Sequence, residues 1–306
     1  MGDQSLHGWV IIDKPQGFSS FQVVSVLKKI LNIKKVGHAG TLDPMATGVL
    51  PIALGEATKV MSYVMDTKKT YIFTVDFGVQ TNTDDQEGQI IKTSTYYPTE
   101  QEIKAIVPKF IGNIDQVPPI FSALKINGQR SYKLARAGHN IALKSRNVFI
   151  HELNFLRKPS INQAVFEVKC NKGLYVRSLG RDLAYNLNTV GHISSLQRTR
   201  VGPFSLVQAY SLDYLRQIYD DKLLDQSVKL SYIFDAEHPL DDIPAVHCTD
   251  AEAVKLRYGQ SITLAEQFIC SPGLQNNHMI AFHNRKLLAL GYENKGLFKP
   301  QRILNL

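Results

Sequence analysis

The chain has 306 residues with 35 Lys and Arg against 27 Asp and Glu, a formal net charge of +8, which allows one large domain, or a large and a small one, with an ample core. Its apolar and charged fractions are those of an ordinary globular protein and exclude a disordered or fibrous chain. No run reaches the ~18 apolar residues of a membrane helix, the leading MGDQSLHGW is too polar for a signal peptide, and Cys170, Cys248 and Cys270 fit neither a disulfide framework nor a zinc site, so a reducing cytoplasm is the expected compartment.

In chain order, Gly8 to Asp13 predicts a short buried strand, and Lys14-Pro15-Gln16-Gly17 a turn. Ser19 or Ser20 caps a helix that buries Val23, Val24, Leu27, Ile30 and Leu31. Then comes VGHAGTLDPMATGVL, Val36 to Leu50, with a single acidic side chain, Asp43, in a neutral loop of small residues. Pro44 biases Asp43 away from the α region, and the apolar run Val49 to Leu54 reads as a buried strand. A lone carboxylate on a tight loop beside a buried strand suits either a turn cap or chemistry. Glu56 to Met65 has helical spacing, and Tyr71 to Phe77 alternates strictly, with Tyr71, Phe73, Val75 and Phe77 on one face. Residues 81–88, TNTDDQEG, read as a solvated hairpin turn.

A capping box at Thr99 and Glu102 opens a helix burying Ile103, Ile106, Val107 and Phe110. Asn127-Gly128 signals a hairpin, and Gly138 the end of a short helix. Val148–Leu156 and Ala164–Cys170 are strands by alternation, followed by a helix burying Leu179, Leu183 and Leu187. From Ser211 to about Leu230 the pattern is helical, and the Pro- and acid-rich stretch Asp235 to Ala245 is the linker candidate. Beyond it, a capped helix from Thr249 to Tyr258 and short strands at Ile262, Met279–Phe282, Leu287–Tyr292 and Leu297–Leu304 suggest a small β barrel. Charge placement adds a partner class. No acid lies between Asp115 and Glu152, where Lys125, Arg130, Lys133, Arg136, Lys144 and Arg146 stand with Phe121, Tyr132 and His139, and none lies between Asp182 and Asp213, where Arg198 and Arg200 stand. Single-sign stretches this long point to a polyanion, nucleic acid above all, or else to a basic face with no partner.

The loop from Gly37 to Gly48 resembles the signature of the bacterial tRNA pseudouridine-55 synthases, the TruB family, G-H-x-G-[TA]-L-D-P-x-A-T-G, at every fixed position. Further stretches of the family follow in order: K-P-x-G-x-[TS]-S at Lys14, the block from Pro118 to Gly138, and S-K-G-T-Y-[IV]-R-[ST]-L at 171–179, where Asn171 and Leu174 depart from it. The resemblance implies an α+β pseudouridine synthase fold, with a mixed, largely antiparallel sheet flanked by helices over residues 1–240 and a PUA-like RNA-binding barrel over 245–306. It implies Asp43 as catalytic carboxylate, Arg177 as its guanidinium partner, and Tyr71 stacking on the target base. Tyr175 would line the base pocket, Leu196 would contact the base, and Lys14, otherwise a plain turn lysine, would stand near the cleft. Asp85 falls on the family's second aspartate, although Asn82 departs from the usual T-D-T-x-D. The block carrying Lys125, Arg130, Tyr132, Lys133 and Arg136 would close over the RNA stem-loop.

The implied reaction breaks N1–C1′ of uridine, turns the base and rejoins it through C5. It calls for no cofactor, metal or group donor. It needs an ionised carboxylate at the ribose, which a neighbouring guanidinium favours, an aromatic floor, and a flipped nucleotide whose place a planar group such as His38 fills. Asp43 could attack C1′ or take a proton from C2′. The expected partner is the T stem-loop of tRNA, with no membrane, no protein partner and a monomeric enzyme. Two rivals are an RNA-binding or tRNA-folding module without chemistry, which needs no Asp43, Tyr71 and Arg177, and a glycoside hydrolase pairing Asp43 with Asp85.

Overall fold

The computed structural model describes residues 6–122, 124–126, 128–137, 143–220, 231–265 and 277–306. The strands of the first part are β1 (Gly8–Lys14), β2 (Val36–His38), β3 (Thr47–Leu54), β4 (Lys69–Phe77), β5 (Val79–Thr81), β6 (Ile90–Thr93), β7 (Gly112–Gln116), β8 (Lys125–Ile126), β9 (Gln129–Arg130), β10 (Arg146–Ser160), β11 (Gln163–Cys170), β12 (Gly191–Val201) and β13 (Phe204–Ser205). Its helices are α1 (Ser20–Leu31), α2 (Met61–Asp66), α3 (Glu100–Ile106), α4 (Ser131–Arg136), α5 (Val176–Asn186) and α6 (Leu212–Asp220). The main sheet runs β1-β3-β12-β4-β11-β10-β7, with β2 on β3 and β13 on β12. Only the β3–β12 pairing is parallel, so the sheet is mixed and largely antiparallel.

Both faces of the sheet's β1–β3 end are covered, which is why those strands read as apolar without a break. Val10, Ile12, Leu50, Ile52 and Leu54 join one core with α1, α5 and α6, while Trp9, Ile11, Val49 and Ala53 join a second core on the other face. Ser19 caps α1 and forms a capping box with Gln22. The expected box at Thr99 and Glu102 is likewise present, and α3 gives way at Val107 to a 3-10 turn containing Pro108, which has no N–H to continue the helix. The helix expected over Glu56 to Met65 is two pieces, a 3-10 turn at Gly55–Lys59 and then α2.

The last part contains β14 (Ala245–His247), β15 (Ile262–Thr263), β16 (His278–His283), β17 (Lys286–Asn294), β18 (Leu297–Ile303) and α7 (Asp250–Arg257), capped by Thr249 and Glu252. Its strands form one sheet in the order β14-β16-β17-β18-β15. The stretch expected as a linker is not a free tether. The Trp9 indole donates to Ala236 O (3.1 Å), and Ala236 and Leu240 are buried in the second core together with Ile280, Leu287 and Leu290 of the last sheet and Leu304 just beyond it. The far end is fastened as well: Glu56 pairs with Lys59 (2.6 Å) and Lys35 (3.2 Å) and accepts from Asn305 N (2.9 Å). Residues 221–230, the second half of the expected Ser211 helix, and Gly138 lie outside the described residues.

Candidate active site

The Asp43 loop joins β2 to β3 and crosses the end of the sheet where β4 begins. Backbone chemistry fixes it at almost every residue. The Ser20 hydroxyl accepts from Leu42 N (2.8 Å) and donates to Leu42 O (3.1 Å). Pro44 O accepts from Gly17 N (2.8 Å) and from the Lys14 ammonium (3.2 Å). Lys14 also donates to Pro15 O (2.9 Å) and Phe18 O (2.6 Å). Of the two sequence readings of Lys14, the solvated one fails: the side chain is fully buried, and desolvation brings its pKa down to about 8 although Asp43 pulls the other way. Its ammonium holds the loop rather than facing solvent. The loop's glycines answer to close approach: Gly48 has φ +98°, and a Cβ there would lie 2.2 Å from Arg198 O on β12.

Arg177 sits in the first turn of α5 and reaches four acceptors. Its Nε lies 2.9 Å from the Asp43 carboxylate, Nη1 lies 3.5 Å from Asp85 and donates to Thr83 O (3.0 Å), and Nη2 donates to Phe121 O (3.0 Å). The Asp43 side chain keeps 36% of its surface exposed, against 6% for Arg177 and 5% for Asp85. A planar fork suits this division of labour: one edge holds a carboxylate at the surface and the other ties down its surroundings. One turn further on, Arg181 pairs with Asp84 (2.8 Å) and Asp182 (2.9 Å). The spacing of four residues along α5 sets the two guanidinium groups side by side against Asp84 and Asp85.

Residues 81–88 are therefore no solvated turn. Asp84 and Asp85 are buried, and the loop is stitched to β12 through Ile193 N to Asp84 O (3.0 Å) and Gln86 N to Ile193 O (3.0 Å). Asp85 accepts from the Thr83 hydroxyl (2.6 Å) and from Glu87 N (3.1 Å), so its carboxylate is engaged with protein groups. Asp84 and Arg181 were not singled out from the sequence. The signal was an acidic pair opposite two arginines spaced four apart, and it emerges only once the loop is known to lie on α5.

Tyr71, the third residue of β4, lies directly across from Arg198 of β12, half-buried against the first core. Burial pushes its phenol pKa up, and the Arg198 charge opposes that push. Tyr175 precedes α5, its backbone N donating to the Gln116 side chain (2.9 Å), and burial raises its pKa too. Leu196 lies in the first core across from Phe73. At His38, burial and then the Arg198 charge lower the imidazole pKa, so the ring is neutral at neutral pH, and its Nδ1 is buried without a hydrogen-bond partner. Asp43, Arg177, Tyr71, Tyr175, His38, Lys14 and Asp85 thus belong to one neighbourhood. The side chains of Lys125, Arg130, Tyr132, Lys133 and Arg136 lie outside those described. Among the described residues no His, Cys, Asp and Glu cluster could hold a metal ion, and no helix is long and apolar enough to cross a membrane.

By its fold the protein is of the pseudouridine synthase class. It superposes on a chain of a solved Cbf5-Nop10-Gar1 complex with a TM-score of 0.74 and 25% identity, covering 97% of this chain and 84% of that one. A chain of an archaeal box H/ACA sRNP Nop10-Cbf5 complex gives 0.73 at 22% identity, with 98% and 86% covered, a likeness of fold alone. The sequence model of the TruB family pseudouridylate synthase N-terminal domain matches residues 28–176, and that of the tRNA pseudouridylate synthase B C-terminal domain matches 177–243. A protein of Bradyrhizobium diazoefficiens named tRNA pseudouridine synthase B is 45% identical over 303 residues, covering 99% of this chain and 87% of its own. Its namesake in Rhodospirillum rubrum is 45% identical over 306 residues, covering 99% and 98%. The chain belongs to the TruB family of pseudouridylate synthases.

Proposed function

We propose that the protein is a tRNA pseudouridine synthase that isomerises uridine 55 in the T loop, with Asp43 as its catalytic carboxylate. The observation that carries this reading is the 2.9 Å Asp43–Arg177 pair on the signature loop, with the carboxylate partly open to solvent and its partner buried. An RNA-binding module has no use for a carboxylate held in this way. In the glycosidase reading both carboxylates must reach the sugar, whereas Asp85 is buried and occupied by Arg177, Thr83 and Glu87.

The target uridine is flipped out of its loop at a cost of a few kcal/mol, and the neutral ring of His38 fills the gap. The Asp43 carboxylate acts on the ribose, at C1′ as nucleophile or at C2′ as base, and the N1–C1′ bond breaks with its electron pair passing to the ring. The freed uracil turns over Tyr71, between Tyr175 and Leu196. C5 bonds to C1′ as Asp43 departs from C1′ or returns the C2′ proton, and the ring then loses the C5 proton to solvent and takes one up at N1. Because burial raises the Tyr71 pKa, the phenol is protonated at neutral pH and serves as floor and donor rather than as resting base. Residues 1–240 form the catalytic unit in this reading. Residues 245–306 form a PUA-like unit that extends the RNA contact, and the enzyme works as a cytoplasmic monomer on the T stem-loop.

Asp43→Asn is the test. Asn is nearly isosteric but is a poor nucleophile and a poor base. The variant should fold, bind an unmodified tRNA transcript with wild-type affinity and form no pseudouridine at position 55. Activity surviving in that variant would sink the assignment.

A further inference from the structure

Arg198 has no part in the reading above, and from the sequence it falls in an acid-free interval that points outward to a polyanion. It is instead one of the largest fully buried side chains, on β12, an inner strand of the sheet between β3 and β4. Its Nε donates to Val49 O (2.8 Å), Nη2 to Gly40 O (2.9 Å) and Nη1 to Thr41 O (3.4 Å). One guanidinium therefore grips both ends of the loop that carries Asp43. The backbone of the same residue faces Gly48 on one side and is the cross-strand partner of Tyr71 on the other. Cross-strand partners project from the same face of a sheet, so the Arg198 and Tyr71 side chains share the floor of the site. The Arg198 charge is also felt at His38 and Lys14.

We infer that Arg198 is a positioning residue for the reaction, setting the Asp43 loop in register with the Tyr71 ring so that carboxylate and floor address one nucleotide. The inference rests on the reading of Asp43 and Tyr71 given above. Arg177 fixes where the carboxylate points, and Arg198 fixes where the loop lies. An arginine suits the second task because its acceptors are spread around three nitrogens of a rigid plane. A lysine could reach one end of the loop but not both. Small displacements of reacting groups are expensive in rate, about a hundredfold for a shift near 1 Å.

The experiment compares Arg198→Ala and Arg198→Lys with wild type and with Asp43→Asn, measuring single-turnover rate on an unmodified tRNA transcript, transcript affinity and thermal unfolding. The expected result is a turnover loss of about a hundredfold in both variants with transcript affinity kept, and partial recovery of the Arg198→Ala rate on adding methylguanidinium. Turnover within about threefold of wild type in Arg198→Lys overturns the proposal, because a lysine cannot hold both loop ends. So does a rate loss matched by an equal loss of affinity, which marks general damage, or failure of both variants to fold, which marks a purely structural role. Turnover surviving in Asp43→Asn sinks the reading of the site itself. Normal turnover in the Arg198 variants beside an inactive Asp43→Asn sinks only the assignment of Arg198.

Discussion

Arg177→Lys keeps the charge beside Asp43 and removes the fork. The arginine serves Asp43, Asp85, Thr83 O and Phe121 O at once, and a lysine ammonium at the same place can satisfy at best one or two of them. A hydrogen bond to a charged group contributes about 1.5–3 kcal/mol, so the loss of two has a ceiling of about 3–6 kcal/mol. The two carboxylates do not share it equally. Asp43 is partly exposed and water replaces some of what it loses, which discounts its share. Asp85 is buried and water cannot replace its guanidinium, although the contact is long at 3.5 Å and the carboxylate keeps the Thr83 hydroxyl and Glu87 N, so its share too falls below the full figure. A net effect of about 3–4 kcal/mol is expected, or about two to three orders of magnitude in turnover. It should fall on the chemical step, because a guanidinium this buried presents little surface to RNA. Single-turnover pseudouridine formation and filter binding of the same transcript separate the two. A variant with near-wild-type turnover, or one whose affinity drops as far as its rate, would refute the role given to Arg177.

The Glu56 node is the second test. Burial alone would raise the Glu56 pKa, but its bonds to Lys59, Asn305 N and Lys35 outweigh it and bring it down to about 2. A carboxylate depressed on folding stabilises the native state above its ordinary pKa, and that contribution fades as pH falls toward the folded value. Glu56→Gln should therefore lower the melting temperature at pH 7 and flatten its decline between about pH 4.5 and 2, and calorimetry across that range checks both. Neutralising Arg130, Lys133 and Arg136 together should weaken transcript binding and reduce its salt slope by up to about 0.9 for each phosphate no longer neutralised. An unchanged slope would make that interval a solvated face.

The sequence was most legible where local chemistry decides the outcome. The capping boxes at Thr99 and Thr249 each set a helix start, and the apolar run after Gly48 named a buried strand. The strand that organises the site, β12, carries no such local signal. Its residues, GHISSLQRTRV, alternate in burial, but the inward position at 198 is an arginine. An apolar-periodicity reading cannot see a face whose inward group is charged. The 81–88 loop misled for the opposite reason: its acids look solvated until α5 supplies Arg177 and Arg181. The Pro-rich stretch at 235–245 looked like a tether because nothing local records that Trp9, more than two hundred residues earlier, binds it. What was missed is what depends on partners distant in the chain.

Buried cations recur across the site, and they bear on mechanism. Lys14, Lys69, Arg177 and Arg198 are each no more than 5% exposed, so part of the chain's positive surplus faces inward. Carboxylates meet Arg177, whereas Lys14 and Arg198 are held by carbonyl oxygens, and desolvation brings Lys14 and Lys69 down to about 8. Burying a charge without an ionic partner costs stability, several kcal/mol per ion by general experience. Keeping such groups near the Asp43 carboxylate gives the site a positive interior in return. In the proposed reaction, breaking N1–C1′ leaves an electron pair on the uracil ring, and fixed positive charge in a low-dielectric floor has the sign that favours such an anion. Two of these cations, Lys14 and Arg198, also hold the Asp43 loop through backbone carbonyls, so they contribute to both the geometry and the field. A basic interval can therefore hold inward and outward charge together, and only burial separates the two: Arg200 is exposed on β12, and Arg198, two residues before it on the same strand, is not.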